Sequence, residues 1–350
     1  MFDVSPEEIT EGTLARALVV LAGPLVVQNV ALVAQSVVDL FWVGRLGETP
    51  VAAVGLATVV VALLTVPLRT FFVGSQVVTS QRVGADRRGD ARRVPFTSAL
   101  LAVAVAALLG LGLVAFALDV ASLLTGDAAV AALAADYLVG YALALVAVGA
   151  SDTLESGFTG WGDSRGALYV NLTAILVNVA LDPLLILGWG PFPRLELFGA
   201  ALATAVGYAA GAAFAVGLAA RGRKGFRLTV RAVRPHLGTA RAVVSVGAPI
   251  AGQGAGRQVA RLGMVALVSV AGGSPALAAY HIGAQVATVA FVPAQGLAQA
   301  VTSVVGQNLG ADRPDRARRA TWLGVGLAAA GLTVFGLGQW LVPAGLARLF

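Results

Sequence analysis

The sequence contains no cysteine and only two histidines, His236 and His281. The lack of cysteine excludes disulfide bonds and thiolate metal sites, and two lone histidines do not form a metal site. Motifs for phosphate binding, for a serine nucleophile elbow and for an H-E-x-x-H zinc site are also absent. ATP hydrolysis and the familiar hydrolytic reactions therefore have no residues to carry them. We predict that the protein is not an enzyme and has no cofactor.

The sequence also contains few charged residues, since 12% are charged and 58% are hydrophobic. Ordinary soluble domains contain roughly 25% charged residues. The charged and Pro/Gly-rich stretches divide the chain into apolar runs of roughly the length that a helix needs to cross a bilayer. The runs are apolar all round and not alternating, which excludes the pattern of a β-barrel. We predict an all-α polytopic membrane protein with nine spans: 14–43, 51–81, 95–118, 128–150, 167–188, 199–220, 243–270, 276–308 and 318–342.

The basic residues lie in alternate loops. Of 24 Lys and Arg residues, 17 lie in Arg82–Arg93, at Arg165, in Arg221–Arg241 and in Arg313–Arg319, whereas the loops between them hold only Arg45 and Arg194. This is the positive-inside pattern. It predicts a multi-pass protein of the cell membrane with its N-terminus in the cytoplasm. The net charge of +6 is therefore interpreted as contact with lipid headgroups, and no nucleic-acid partner is expected.

Two of the basic loops are nearly identical. G-A-D-R-R-G-D-A-R-R begins at Gly84 and G-A-D-R-P-D-R-A-R-R begins at Gly310, an offset of 226 with seven of ten residues matched. Pro24 and Gln28 match Pro249 and Gln253 at an offset of 225. An even number of spans per half makes such repeats parallel. We predict a six-helix bundle over residues 1–222, a basic linker over 223–242 and the first three helices of a second bundle over 243–350. The second bundle is then incomplete, with about nine of twelve expected helices, and the protein is expected to be a monomer.

Several polar residues interrupt the predicted spans at one depth. At about 1.5 Å per helical residue, they lie roughly 6 to 15 Å below the outer boundary. Asn178 and Asp182 are four residues apart and share one helix face. Two carboxylates with nearby amide and hydroxyl oxygens suit either a hard cation such as Na⁺ or a proton. The alternative is that the acids only join helices by hydrogen bonds or face a hydrated vestibule. The residues of this layer are Asp39, Thr58, Tyr137, Asn178, Asp182 and Thr204.

Further polar residues lie within span 7 and just after span 4. Gln253, Arg257 and Arg261 lie within span 7, where two arginines four residues apart are unusual. They are candidates either for a salt bridge with an acid such as Asp39 or for an anion-favouring wall of a substrate cavity, to which Tyr137 would also contribute. Asp152 and Glu155 follow span 4 and are expected to be hydrated.

Five segments together resemble the multidrug and toxic-compound extrusion (MATE) transporters. They are V-V-D-L-F-W-V-G-R-L-G-E-T-P-V-A-A-V-G-L-A-T, G-W-G-D-S-R, N-V-A-L-D-P-L-L-I-L-G, F-G-A-A-L-A-T and V-G-Q-N-L-G-A-D. The resemblance is to the prokaryotic and archaeal branch, and it implies a coupling-ion site in the first half. It places that site at Asp39, Asn178 and Asp182 and, less firmly, at Thr58, Thr204 and Tyr137.

Three functions are consistent with these residues. The first is an antiporter that exports organic solutes and is driven by H⁺ or Na⁺ at Asp39 and Asp182. The second is a flippase for lipid-linked saccharides on a related two-bundle fold, which a basic cavity would suit. The third is an intramembrane enzyme that uses the two aspartates as an acid pair, although no flanking signature supports it. The internal repeat argues against the enzyme, because alternating access uses two halves and an aspartyl site does not need them.

Overall fold

The computed structural model describes residues 4–341, apart from the side chains of some residues between 262 and 286, among them His281. The outer ends of the predicted domains, 1–3 and 342–350, lie outside this description. No β-strand occurs within residues 4–341. The helices are α1 Pro6–Glu11, α2 Leu14–Gly44, α3 Glu48–Gly84, α4 Arg88–Ala91, α5 Arg93–Leu124, α6 Ala128–Trp161, α7 Ser164–Leu187, α8 Glu196–Ala220, a 3-10 turn Arg223–Gly225, α9 Val230–Val233, α10 Leu237–Gly310 and α11 Pro314–Leu341.

Eight helical segments of the described chain are long and apolar enough to span a bilayer, which confirms a polytopic helical membrane protein.

The ends of α6 and the start of α7 are marked by capping residues. Asp127 caps α6 through its side chain, and Gly162 ends that helix with a φ of 92°. Asp163 then caps α7 by accepting a hydrogen bond from the backbone of Gly166. The turn between α6 and α7 is therefore short because a left-handed glycine and a capping aspartate are adjacent in sequence.

Spans 7 and 8 were predicted as two helices joined by a loop, but the structure has a single helical element there, α10. A straight helix of 74 residues would be roughly 111 Å long. Yet Val243 packs on Gly74 and Gly306 packs on Ser80, and these two α3 residues are only six positions apart. The element must therefore turn back on itself. Its two ends run antiparallel along α3, as a first arm (237–261) and a second arm (287–310), which preserves the predicted course of the chain.

The two halves meet through a reciprocal contact that reflects the repeat. Gly84 packs on the backbone of Gln307, and Gly310 packs on the backbone of Gln81. At the offset of 226, Gly84 corresponds to Gly310 and Gln81 corresponds to Gln307. Each contact is therefore the counterpart of the other with the two repeats exchanged, as expected for repeats related by a twofold axis. The loops that follow also match in conformation, because Asp86 has φ 55° and Asp312 has φ 57°. The two loops therefore lie at the same end of the bundle, as the parallel repeat predicts. We call it the basic end.

The N-terminal helix α1 joins both repeated loops at the basic end. Ser5 and Glu8 form a capping box that begins the helix, and Ile9 is completely buried against the bundle. Glu7 pairs with Arg88 at 2.6 Å. Arg313 donates to the carbonyl of Thr10 at 2.7 Å and to the carboxylate of Glu11 at 2.9 Å. Arg316 donates to the carbonyl oxygens of Ile9 and Gly12. α1 is thus held by arginines from both halves.

The reciprocal glycine contact generates a test of the repeat interface. Gly84→Ala should lower the free energy of unfolding by about 1–3 kcal/mol, because the new methyl group overlaps the backbone of Gln307. Gly55→Ala is the matched control on the same helix, since nothing lies within 4 Å of its added methyl. The control should be neutral or stabilising by up to about 1 kcal/mol from helix propensity. Equal unfolding temperatures for the two variants in detergent would contradict the proposed packing.

Candidate functional site

Helices α2, α7 and α8 converge on a buried polar cluster in the half of the bundle opposite the basic end. Asn178 and Asp182 lie one turn apart on α7, and each is only 1% exposed. Gly207 of α8 packs against Ala174 and Asn178, so the absence of a side chain lets α8 approach α7 closely. At the far end of the same region, Trp42 of α2 and Trp189 pack edge to face with ring centroids 5.4 Å apart.

Amide and hydroxyl groups link the three helices within this cluster. The Gln35 side-chain nitrogen donates to the Asn178 oxygen at 2.7 Å, and the Asn178 nitrogen donates to the Thr204 hydroxyl at 3.4 Å. Asn178 also fits the cluster with its amide rotated by 180°. Its nitrogen then donates to Asp39 at 3.1 Å and its oxygen accepts from the Thr204 backbone at 3.1 Å. This orientation requires Gln35 to present its oxygen in turn. Either way, Asn178 is the central member of the cluster.

The carboxyl groups of Asp39 and Asp182 lie close enough to interact directly, and the Asn178 amide lies 3.1 Å from a carboxylate oxygen of Asp39. Two carboxylates cannot make such a contact when both are bare anions, so the pair needs a shared proton or an intervening cation. Asp182 Oδ2 is buried and has no hydrogen-bond partner within the described residues. The Tyr137 phenol lies near enough to interact electrostatically with both acids. The arrangement is therefore chemically suited to hold one positive charge.

The structure brings together Asp39, Asn178, Asp182 and Thr204, with Tyr137 near the two acids, but places Thr58, Gln253, Arg257 and Arg261 elsewhere. Thr58 is exposed, and its hydroxyl donates to the Gly55 carbonyl of its own helix at 2.8 Å. Its role at the ion site stays a prediction. Gln253, Arg257 and Arg261 are all exposed on the first arm of α10. Within the described part of the chain neither arginine forms an ion pair, so the expected salt bridge with Asp39 is not seen.

A second polar cluster was not foreseen from the sequence. Glu155 was expected to be hydrated, but it is only 8% exposed. The expectation was wrong because α6 continues to Trp161, well beyond the predicted end of span 4 at residue 150. Glu155 accepts a hydrogen bond from Gln28 at 2.6 Å and from Asn171 at 3.4 Å. The sequence signal for this cluster was an acidic residue, Glu155, within the apolar run that precedes Gly162. Asp152, which was grouped with it, is partly buried.

A third buried acid anchors the start of the basic linker. Asp163 is fully buried at the turn between α6 and α7, and its carboxylate accepts from Arg223 at 2.5 and 3.2 Å. Lys224 lies 3.7 Å from the same carboxylate. Phe226 is also fully buried and packs edge to face on Phe158. The linker is therefore fixed to the bundle by charged contacts at Asp163 and by aromatic contacts at Phe226.

Comparisons with known proteins agree with this fold. A family model described as MatE matches residues 24–184 and 249–350. The probable multidrug resistance protein NorM of Deinococcus radiodurans is 32% identical over 331 residues, or 94% of this chain and 71% of that protein. The corresponding protein of Rhizobium meliloti is 35% identical over 342 residues, or 92% of this chain and 70% of that protein. An FAD transporter of Shewanella oneidensis is 25% identical and matches 89% of this chain and 68% of that protein.

Solved structures resemble the chain over almost its whole length. A crystal structure of MATE in complex with MaL6 has a TM-score of 0.90 at 20% identity and covers 99% of this chain and 76% of that chain. A MOP superfamily transporter from Pyrococcus furiosus has a TM-score of 0.88 at 21% identity and covers 99% of this chain and 76% of that chain. At these identities the likeness establishes the fold.

The fold and the relatives define a multi-pass membrane transporter of the multidrug efflux class, and not an enzyme. The chain belongs to the MatE family, because the family model matches more than half of its residues and relatives above 30% identity match nearly all of it. The predicted resemblance to the MATE transporters is thereby confirmed.

The buried charge pair at the linker generates a second test. Asp163→Asn should destabilise the protein by about 3 kcal/mol, because it leaves Arg223 beside a neutral amide in a site that is largely removed from water. Trypsin should then cleave the linker Arg221–Arg241 faster. Asp90→Asn is the control, since its pair with Arg87 is exposed and should be worth about 0–1 kcal/mol. A cleavage rate unchanged by Asp163→Asn would show that the pair does not anchor the linker.

Proposed function

We propose that the protein is an antiporter of the cytoplasmic membrane that exports organic solutes and is driven by H⁺ or Na⁺ bound at Asp39 and Asp182. The observation that carries this proposal is the close approach of the two carboxyl groups beside Asn178, between the parallel helices α2 and α7. The names of the NorM relatives support export of drug-like solutes. The basic end faces the cytoplasm, according to the positive-inside rule.

The oxygen atoms of the cluster suit either coupling ion. With both acids deprotonated, Na⁺ would be held by carboxylate oxygens of Asp39 and Asp182, by the Asn178 carbonyl oxygen and by the Thr204 hydroxyl. Hard alkali and alkaline-earth cations prefer such oxygen ligands. With one proton shared between the carboxyl groups, the positive charge of Na⁺ is no longer required. H⁺ and Na⁺ should therefore compete for the same site.

Pro183 offers a physical route from the ion to the helices. It follows Asp182 directly and lies inside α7, where it cannot donate a backbone hydrogen bond to the carbonyl near Val179. α2 contains Pro24 in the same way. Helices that lack one backbone bond bend more readily at that point. A change of charge between Asp39 and Asp182 would thus act on two helices that are each already weakened at a defined turn.

Exposed polar side chains on the first arm of α10 are candidates for contact with the transported solute. Gln253, Arg257 and Arg261 are exposed there, and the arginines form no ion pair within the described residues. One relative is an FAD transporter, and its named solute is anionic. We assign these three residues, with Tyr137, to a cavity that accepts anionic or polar aromatic solutes. The relatives favour this solute transport over the alternative of a lipid-linked saccharide flippase.

The carboxyl pair provides the decisive test of coupling. Asp182→Asn keeps the shape and hydrogen bonding of the side chain but removes its change of charge. Gradient-driven solute efflux from proteoliposomes should be abolished, while the unfolding temperature and solute binding are retained. Asp39→Asn should have the same effect. The double variant should be little worse than either, because the two acids act as a unit.

Asp119→Asn is a matched control, since Asp119 is an exposed acid in the outer half of α5 and its variant should transport normally. Efflux should be measured under separate Na⁺ and pH gradients, which distinguishes the coupling ions. Full efflux by Asp182→Asn under either gradient would refute coupling at this pair.

A further inference from the structure

Polar residues form two matching series along the interface of α2 and α7. On α2 they are Gln28, Gln35 and Asp39, and on α7 they are Asn171, Asn178 and Asp182. Both series have the same spacing, seven residues and then four. Eleven residues are close to three helical turns, so each series stays on one face of its helix. The two helices run in the same direction, and the two series therefore stand side by side.

The series meet at three levels, which we call the polar ladder. At the upper level the carboxyl groups of Asp39 and Asp182 lie close together. At the middle level Gln35 donates to Asn178 at 2.7 Å. At the lower level Gln28 and Asn171 each bind the carboxylate of Glu155, which enters from α6. Upper and lower levels are separated by about 16 Å along both helices.

The lower level is deeply buried and incompletely satisfied. Gln28 is 4% exposed and Asn171 is 3% exposed. Both side chains point at Glu155, because each donates its amide nitrogen to a different carboxylate oxygen. Their amide oxygens are buried and have no hydrogen-bond partner within the described residues. Two unpaired oxygens and a buried carboxylate therefore adjoin, and burial of such groups without compensation is costly.

The groups around Glu155 do not supply a compensating charge. Asp152 lies on the same helix and interacts unfavourably with it, and the Tyr208 phenol approaches from α8. Gln28 from α2 and Asn171 from α7 are neutral. No Lys, Arg or His ion pair with Glu155 occurs among residues 4–341 that the structure describes. A negative charge at this position would need one positive charge from outside the protein.

We propose that Glu155, Gln28 and Asn171 form a second cation site, which holds either a proton or Na⁺ and is joined to the Asp39 and Asp182 pair by Gln35 and Asn178. With a proton, the Glu155 hydroxyl donates to the Gln28 oxygen after a 180° turn of that amide. The 2.6 Å separation already lies in the range of an O–H···O bond. With Na⁺, the carboxylate and both amide oxygens serve as ligands. This site goes beyond the proposed function, which requires only the upper pair.

Cation binding should be measured on the purified protein in lipid nanodiscs. Radioactive Na⁺ reports the number of sodium ions bound, and infrared difference spectra report protonated carboxylic acids. The variant Asp39→Asn/Asp182→Asn removes the upper site. It should still bind one Na⁺ or still show one titrating carboxylic acid. Adding Glu155→Gln should abolish that remaining signal. Adding the control Glu196→Gln, a partly exposed acid paired with Arg194, should leave the signal unchanged.

Asn171→Ala in the same background keeps the carboxylate but removes one amide, and it should weaken Na⁺ binding or shift the midpoint of the Glu155 titration. It serves as the second variant if Glu155→Gln does not fold. The proposal is overturned if the Asp39→Asn/Asp182→Asn variant retains neither signal. It is also overturned if the remaining signal survives Glu155→Gln or is unaffected by Asn171→Ala. Failure of the proposed function is separate, since it appears as normal efflux by Asp182→Asn alone.

Discussion

The packing of α2 on α7 is the constraint on which the rest of the structure depends. Side chains at this interface are polar at three successive levels, and each must find its partner within the protein because the bilayer core supplies none. Gln35 and Asn178 satisfy each other directly, whereas Asp39 and Asp182 need a proton or a cation. The register of the two helices is therefore fixed by hydrogen bonding. Small residues then bring α8 close enough to complete the cluster, as Gly207 does.

The two repeats share a backbone plan but not this chemistry. Their basic loops match in sequence and in the left-handed conformation of Asp86 and Asp312. At the offset of 225, Gln28 corresponds to Gln253, but Asp39 corresponds to Met264. Gln253 is exposed on the first arm, while Gln28 is buried. Duplication thus preserved the fold of the repeated helices, but the position that corresponds to Asp39 in the second repeat is not acidic.

Much of the fold could be predicted from the sequence because hydropathy and charge act over whole segments. Nine spans were predicted from apolar length, and eight helical segments of the described chain meet the requirements of a span. The parallel repeat follows from two loops of ten residues. The upper cluster was also accessible, since Asn178 and Asp182 share a helix face and topology sets the depth of Asp39. Its functional assignment stays a prediction.

The remaining features depend on tertiary packing that a single sequence does not encode locally. Glu155 was misjudged because the end of α6 is set by Gly162 and not by the last strongly apolar residue. The pairing of Asp163 with Arg223 joins residues 60 positions apart, and no local pattern marks it. The course of α10 could not be predicted either. The sequence predicted two spans, but these form a single helical element, and its contacts with α3 show that it turns back on itself.

The position of α1 has a consequence for the rate at which the two halves could separate. Its acidic side chains and terminal carbonyls bind Arg88 from the first loop and Arg313 and Arg316 from the second. Each exposed ion pair is worth only about 0–1 kcal/mol, so no single bond blocks movement. Opening the basic end must nevertheless break several together, and salt screens exposed charges. If the two halves separate at the basic end, α1 would therefore oppose that separation less as ionic strength rises.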